Sequence, residues 1–127
     1  MSTLGARLDL IAPGEVRIAV SHRADLTQQH GFLHAGAVTS VVDSACGYAA
    51  LTLMEPGAAV LSVEFKVNLL APAASKEFIA IGKVVRAGRT VSVVLGELRS
   101  LDDGNDTVFA ILQGTMMAVR DKAGLSD

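Results

Sequence analysis

The clearest pattern in the chain is an alternation of apolar and polar residues from position 61 to position 69. Apolar side chains occupy the odd positions, beginning with Leu61, and polar side chains occupy the even positions, beginning with Ser62. A period of two predicts a β-strand whose faces differ in polarity, with Ser62 on the face opposite Leu61. Pro72 ends this strand, because proline cannot donate to a strand ladder.

Four other segments have the pattern and the length of strands. Turn-rich residues at 87–89 and 102–106 separate the last three, and both connections are short enough for hairpins. Residues 1–12 are expected to form an N-terminal arm or a short helix. The chain is thus predicted to form one strand, one long helix and then four strands in an antiparallel meander. The predicted strands are residues 15–20, 61–69, 78–85, 91–98 and 108–119.

The predicted helix, residues 37–54, is the most apolar stretch, and the sequence Glu-Pro-Gly at 55–57 ends it. As a helix it would span roughly 27 Å, which is marginal for a bilayer. Asp43 lies inside it, and an Asp near mid-bilayer costs about 2.5–3.5 kcal/mol on insertion scales. We therefore expect a buried helix of a soluble protein rather than a membrane span.

Apolar residues go nearly all the way round this helix. A single sheet covers one side of a helix, so the remaining apolar surface needs a second cover. The simplest cover is a second copy of the chain in a two-fold symmetric dimer. The residues concerned are Val38, Val41, Val42, Ala45, Cys46, Tyr48, Ala49 and Leu53.

Composition and charge exclude several function classes. The chain has 127 residues, of which 50% are hydrophobic and 19% charged, which indicates one folded domain over residues 1–127. A net charge of −2 without a basic block argues against nucleic-acid binding. The single cysteine, Cys46, excludes a disulfide within the chain and suits a reducing compartment. Because the N-terminus also lacks a signal-peptide pattern, we expect a cytoplasmic protein.

Several kinds of site are not indicated. His22, His30 and His34 fall in one loop, but no Cys or acidic residue shares a ligand spacing with them, so no metal site is expected. The chain also lacks a P-loop, a dinucleotide-binding fingerprint and a Gly-x-Ser-x-Gly elbow.

Asp43 is the residue that needs an explanation, because it is the only acid between Asp25 and Glu55. A carboxylate in an apolar helix must find water, a partner or a cleft. One interpretation puts Asp43 on a solvated stripe with Ser40 and Ser44. The other gives it a chemical role.

The loop before the helix and the helix itself resemble a known family. The sequences concerned are His-Gly-Phe-Leu-His-Ala-Gly-Ala-Val at 30–38 and Val-Asp-Ser-Ala at 42–45. The likeness continues through Ser-Val-Glu-Phe-Lys-Val-Asn-Leu-Leu-Ala-Pro at 62–72 and Val-Arg-Ala-Gly-Arg-Thr at 85–90. Together they resemble the acyl-CoA thioesterases of the phenylacetate-degradation (PaaI-like) group, which have the hot-dog fold.

The resemblance implies an α+β hot-dog fold, in which an antiparallel sheet of about five strands wraps one long central helix. It implies an enzyme that hydrolyses an acyl-CoA substrate to a free carboxylic acid and CoA, with no cofactor. It also implies a homodimer or homotetramer whose site lies at the dimer interface, where helix-start donors of one subunit face the Asp of the other. Two positions depart from the family pattern: Ala35 replaces the first Gly of a His-Gly-Gly signature, and Gln28 stands where many members have Asn.

The same resemblance assigns the central roles of the site. Asp43 is either a nucleophile on the thioester carbonyl or a general base for a water, and the sequence does not choose between them. The backbone N–H of Ala35 or Gly36 polarises the carbonyl, a role that suits unpaired amides and the dipole at a helix start. Alternatively, Gly36 only permits a tight junction between loop and helix.

Three residues are assigned supporting roles. Gln28 positions the attacking water or holds the thioester, and His34 orients the loop or contacts substrate. A His that only hydrogen-bonds loop backbone is an equally acceptable interpretation of His34. Ser62 aligns with a hydroxyl near the acid, but the alternation puts it on the wrong face unless the strand bends or bulges.

The resemblance also implies that a turn at residues 86–90 lies near the nucleotide and phosphate end of coenzyme A. Arginine suits phosphate because its guanidinium forms fork-shaped, charge-assisted hydrogen bonds. The alternative is an ordinary solvated basic turn. The residues are Arg86, Gly88, Arg89 and Thr90.

Two other functions stay open at this stage. The departures at positions 28 and 35 are compatible with a non-catalytic acyl-CoA-binding module of the same fold. A hot-dog hydratase or dehydratase is a weaker alternative, because the signature of those relatives is not found. The sequence fixes neither the acyl group nor the choice between dimer and tetramer.

Overall fold

The computed structural model describes residues 2–102 and 106–120, which form one long helix, six strands and two short 3₁₀ turns. The elements are β1 (Arg7–Ala12), β2 (Glu15–Ser21), α1 (Ala35–Leu51), β3 (Ala59–Leu69), β4 (Glu77–Ala87), β5 (Val91–Ser100) and β6 (Val108–Val119). All paired strands are antiparallel, in the order β1-β2-β4-β5-β6-β3. Helix α1 packs across one face of this sheet. The expected α+β architecture is confirmed, with six strands instead of about five.

The expectation of an arm or short helix at the N-terminus is wrong for most of that segment. Residues Arg7–Ala12 form edge strand β1, which pairs with β2 through a turn that contains Gly14 at φ +78°. Every residue of β1 except Ala12 is exposed. The alternation of apolar and polar residues in this segment covers only positions 7–10, because Ile11 interrupts it, so it is a weak signal for a strand.

The expected four-strand meander is correct for β4, β5 and β6, but β3 does not pair with β4. Instead β3 pairs with β6 and forms the second edge of the sheet. The backbone N–H groups of Leu70 and Ala71 both donate to the carbonyl of Phe109, at 2.8 and 3.3 Å. These bonds hold the chain beside the start of β6 as it leaves β3, so residues 70–76 cross the end of the sheet rather than form a hairpin.

Helix α1 begins at Ala35 rather than residue 37 and ends at Leu51 rather than residue 54. Turn hydrogen bonds continue through Thr52, Leu53 and Met54. Tyr48 and Leu53, expected to be covered, are 41% and 45% exposed within the single chain. None of the described helices is both long enough and apolar enough to cross a membrane. The buried helix residues are Val38, Val41, Val42, Ala45, Cys46, Gly47, Ala49 and Ala50.

A pair of glycines lets α1 lie directly on the sheet. Gly82 of β4 and Gly96 of β5 are register partners beneath the middle of the helix. A Cβ atom at Gly82 would lie 2.4 Å from the backbone carbonyl of Ala45, and one at Gly96 would lie 2.6 Å from Cys46 Sγ. A side chain at Gly82 would therefore require the helix backbone to move, and one at Gly96 would require the side chains of Cys46 and Val42 to move.

We expect Gly82→Ala to lower the free energy of unfolding by about 1–3 kcal/mol, because helix backbone must move to admit the methyl group. Urea denaturation measures the change. The matched control is Gly47→Ala, since a Cβ there has its nearest neighbour, Val60 Cγ1, at an ordinary 3.9 Å. Alanine is also favoured over glycine inside a helix by about 1 kcal/mol, so this control should hold or raise stability. Equal stability of the two variants would contradict a close contact between helix and sheet.

Candidate active site

The carboxylate of Asp43 is held by a hydroxyl of the edge strand. Asp43 is half-buried on α1, and Ser62 Oγ donates a hydrogen bond to its Oδ1 at 2.7 Å. Ser62 Oγ also lies 3.3 Å from Met116 Sδ, and Met116 is fully buried beneath it. Among the described residues no ion pair involves Asp43. The structure therefore presents a fixed carboxylate that no cation among the described residues neutralises.

A β-bulge brings Ser62 to the helix side of the sheet. Along β3, Ser62 pairs with Met116 while Glu64 pairs with the adjacent Thr115, so Val63 is an extra residue. The extra residue reverses the alternation at this point, which puts Ser62 on the face that carries buried Met116. Ser62 was expected to reach the helix side only if the strand bends or bulges, and the bulge at Val63 provides this. The alternation from 61 to 69, which is unbroken in the sequence, is therefore interrupted in the structure.

Cys46, one turn after Asp43, is not a candidate nucleophile. Its side chain is fully buried, and burial raises the pKa of the thiol to about 12, with a smaller contribution from the charge of Asp43. A thiol that stays protonated at neutral pH is a poor nucleophile.

The start of α1 has one free amide. His34 caps the helix: its Nδ1 accepts a hydrogen bond from the N–H of Gly36 at 2.9 Å, and its carbonyl accepts from Ala37 and Val38. Within the described residues, the N–H of Ala35 makes no hydrogen bond. Of the two donors expected from the sequence, the amide of Gly36 is occupied by His34 and the amide of Ala35 is available.

Three of the expected site residues share one cleft at this end of the helix. Gln28, His34 and Ala35 line an open cavity of about 450 Å³, together with apolar side chains. The Oε1 atom of Gln28 accepts a hydrogen bond from the backbone N–H of His30, so part of its amide is used within its own loop. Neither Asp43 nor Ser62 lines this cleft.

The candidate residues of one chain therefore fall into two separate groups. Ala35 and Asp43 are eight positions apart on the same helix, a rise of about 12 Å along its axis. A single thioester carbonyl therefore cannot contact both the amide of Ala35 and the carboxylate of Asp43 of the same chain. The cleft group is Gln28, His34 and Ala35, and the carboxylate group is Asp43 and Ser62.

The basic turn lies in a third place, between β4 and β5. Gly88 donates to the carbonyl of Val91 at 2.9 Å, and a Cβ at Gly88 would lie 2.4 Å from that oxygen, so the tight turn requires glycine. The carbonyl of Thr90 accepts from Ala118 at 2.8 Å, which ties the turn to β6. The side chains of Arg86 and Arg89 are exposed.

Sequence reasoning missed Arg120, which supports this turn from the end of β6. Its guanidinium donates to the carbonyl of Arg89 and to the carboxylate of Glu55. No motif surrounds Arg120, and its partners are remote in sequence, so no local signal could have identified it.

The three histidines do not converge. The Nε2 atom of His22 lies 3.0 Å from the carbonyl of Gly31, while His34 caps the helix. Across residues 2–102 and 106–120 no group of three or more His, Cys, Asp or Glu residues is arranged to hold a metal ion.

Comparison with known proteins places the chain in one family. Residues 30–106 match the family model of the thioesterase superfamily. The chain is 35% identical over 89 residues to a candidate esterase of Saccharolobus solfataricus, a match that covers 70% of this chain and 63% of that protein's length.

The fold is also similar to that of solved structures. A thioesterase family protein of Silicibacter pomeroyi is 50% identical and superposes with a TM-score of 0.92, covering 94% of this chain and 88% of that one. The Escherichia coli PaaI protein from the phenylacetic acid degradation operon has a TM-score of 0.83 at 19% identity, covering 93% of this chain and 82% of that one. At that identity the likeness concerns the fold alone.

Proposed function

Because the chain belongs to the thioesterase superfamily, we propose that it hydrolyses the thioester of an acyl-CoA to a free carboxylic acid and CoA. The observation that carries the proposal is the carboxylate of Asp43, which Ser62 holds at 2.7 Å and which is the only charged group of helix α1. A charge kept in such a position without an ion-pair partner among the described residues suits a reactive group better than a structural one.

Asp43 can act in either of two ways, as a nucleophile or as a general base. As a nucleophile, its oxygen adds to the carbonyl carbon, the C–S bond breaks, CoA leaves as a thiolate, and water then hydrolyses the anhydride. As a general base, it takes a proton from water, whose oxygen adds to the carbonyl, and the departing thiolate receives that proton. In both routes Ser62 holds the carboxylate in one orientation.

The amide of Ala35 is the proposed donor to the thioester oxygen. Negative charge develops on that oxygen as the carbonyl carbon becomes tetrahedral, and a free N–H at a helix start stabilises it. Alanine in place of the family's glycine keeps this backbone donor. Gln28 and His34, in the same cleft, are proposed to hold the thioester and to fix the helix start.

Since Ala35 and Asp43 of one chain are too far apart to act on one carbonyl, we propose that the site forms between two copies. Edge strand β3 is the contact that fits. No described strand pairs with its outer side, and several of its apolar side chains are exposed; both features favour addition of another strand. The exposed apolar residues of β3 are Leu61, Val63, Phe65 and Leu69.

The charges of β3 favour one register. If two copies pair antiparallel about a two-fold axis at Phe65, Glu64 of each copy lies opposite Lys66 of the other, giving two opposite-charge pairs. In this register Ser62 lies close to Leu69 of the second copy, which lines that copy's cleft beside Ala35. Strand β1 also has an exposed edge, but it lies at the far side of the sheet from Ser62. Pairing through β3 therefore completes the site, whereas pairing through β1 does not.

We expect Asp43→Asn to lower kcat by roughly 10²–10⁴-fold, because the amide can neither attack the carbonyl nor accept the proton from water. Thiol release from a panel of acyl-CoA substrates measures this. Asp9→Asn, an exposed acid on β1, is the control and should keep full activity. Full activity of the Asp43→Asn enzyme would remove Asp43 from the mechanism. Tight binding by the wild-type protein without hydrolysis across the panel would favour the acyl-CoA-binding module.

The register is tested by exchanging charges on β3. We expect Glu64→Lys or Lys66→Glu alone to weaken the dimer about tenfold, because each creates two like-charge pairs across the interface. The double variant restores opposite charges and should recover both dimer affinity and activity. Analytical ultracentrifugation gives the Kd, and thiol release gives the activity. Single variants that dimerise as tightly as the wild type would exclude this register.

The turn at residues 86–90 is proposed to bind the phosphates of coenzyme A through Arg86 and Arg89, with Arg120 holding the turn in place. We expect the double variant Arg86→Ala/Arg89→Ala to raise KM for an acyl-CoA about tenfold and to leave kcat unchanged. Hydrolysis of the same acyl group on N-acetylcysteamine, which lacks the nucleotide, should not change. Arg17→Ala, a half-buried arginine of β2 paired with Glu15 and remote from the turn, is the control. An equal loss with both substrates would contradict a role in nucleotide binding.

A further inference from the structure

A small hairpin, residues 27–33, carries Gln28 to the cleft. An antiparallel bridge between its two end residues closes the hairpin. Inside it, the N–H of Gln28 donates to the carbonyl of Phe32 at 2.8 Å, and the N–H of Gly31 donates to the carbonyl of Gln28 at 3.0 Å. The backbone of Gln28 is therefore tied to both ends of this tip, and Gln28 can leave the cleft only if the hairpin shifts.

The tip of the hairpin is loosely packed and borders two cavities. Gln28 and Phe32 line the cleft beside Ala35, whereas Gly31 and Phe32 line a second, open cavity of about 430 Å³. A Cβ atom at Gly31 would meet no described atom within 4 Å apart from its chain neighbours. Because packing holds the tip so weakly, its position depends on hydrogen bonds.

His22 supplies such a hydrogen bond from the side of the second cavity. Its Nε2 atom lies 3.0 Å from the carbonyl of Gly31. A carbonyl oxygen can only accept, so Nε2 donates and carries a proton in this arrangement. The backbone of His22 is itself fixed, because its N–H donates to the carbonyl of Lys76 at 2.8 Å, directly beyond the Ser21–Glu77 pair of the β2–β4 ladder. His22 thus joins the tip of the hairpin to the sheet.

From these contacts we propose that His22 is a positioning residue, which holds Gln28 in the cleft through the carbonyl of Gly31. The proposal rests on the proposed thioester hydrolysis, in which Gln28 holds the thioester, and adds a residue that does not line the cleft. The hydrogen bond lies within one chain, so its formation needs no second copy.

The effect on binding follows from populations. Without the hydrogen bond from His22, the hairpin takes up other positions, and the fraction of protein with Gln28 in the cleft falls. The apparent affinity for substrate falls with that fraction, whereas kcat of the bound enzyme does not change. A residue that acted on the chemistry itself would lower kcat instead.

The hydrogen bond is tested with two substitutions of similar length. His22→Met removes the donor, whereas His22→Gln keeps an amide N–H near the position of Nε2. By hydrogen exchange of the amides of Gln28 and Gly31, His22→Met should exchange about fivefold faster than the wild type, and His22→Gln within about twofold of it. The control is His30→Met in the same hairpin, since the ring of His30 contacts Gln29 instead of Gly31. Unchanged exchange in His22→Met, with an unchanged thermal midpoint, would overturn the proposal.

The effect on substrate is tested with dethia-hexanoyl-coenzyme A, in which a methylene group replaces the thioester sulfur, so the carbonyl is kept and hydrolysis is prevented. By titration calorimetry on the intact protein, His22→Met should bind this probe about fivefold more weakly, and His22→Gln should recover affinity to within about twofold. In turnover of an acyl-CoA, KM should rise in His22→Met while kcat stays within about twofold. A fall in kcat at unchanged KM, or equal losses with Met and Gln, would contradict a positioning role.

A double-mutant cycle tests whether His22 acts through Gln28. Gln28→Ala should itself weaken probe binding, because it removes the group that holds the carbonyl. In that background His22→Met should add less than about twofold, since the side chain whose position it controls is gone. The same fivefold loss in both backgrounds would show that His22 acts on something other than Gln28.

The results separate failure of this proposal from failure of the proposed function. Probe binding that His22→Met weakens only when Gln28 is present, with no turnover of any acyl-CoA, would refute the thioesterase and support the role of His22. Turnover with an unchanged KM in a folded His22→Met protein would refute the role of His22 and retain the thioesterase. Neither probe binding nor turnover by the wild type would refute both.

Discussion

The close contact between α1 and the glycine pair Gly82–Gly96 is the constraint on which the rest of the structure depends. With no Cβ atom at either position, the helix backbone lies directly on β4 and β5, and Cys46 fits against Gly96. This contact fixes how close the helix comes to the sheet and how it is rotated. The rotation in turn presents Asp43 to the edge strand, where Ser62 reaches it. If side chains at positions 82 and 96 held the helix further from the sheet, the carboxylate of Asp43 would lose this hydrogen bond.

The same helix divides the candidate site into two halves. Its first turn carries the free amide of Ala35 beside an apolar cleft, and its third turn carries Asp43. A rigid helix cannot fold back on itself, so the halves of one chain stay apart. The exposed edge of β3 offers a physical way to join the two halves, because one edge strand can pair with its own copy and bury the apolar side chains that a single chain leaves in water. Assembly and chemistry are therefore coupled in the proposed mechanism.

Much of the fold could be predicted from local patterns. The central helix and the strands β2, β4, β5 and β6 were found within a few residues of their ends, because each has a buried stripe or strong turn signals. Strand β1 was missed because its alternation of apolar and polar residues covers only positions 7–10. The predicted neighbour of β3 was wrong, because a period of two indicates a strand but not the strand it pairs with. The hydrogen bonds from Leu70 and Ala71 to Phe109, which hold β3 beside β6, join segments that are distant in the sequence.

The sequence by itself determined that a carboxylate sits in an apolar helix, that a loop rich in polar residues precedes that helix, and that an unbroken alternation would put Ser62 on the same face as Glu64; only the family resemblance placed Ser62 near the acid. These are properties of local composition and spacing, which any fold must accommodate. Only the tertiary structure decided that Val63 forms the bulge, that His34 occupies the amide of Gly36 and leaves that of Ala35 free, and that Arg120 supports the basic turn. Each of these depends on register or on a hydrogen bond whose geometry no residue pattern encodes.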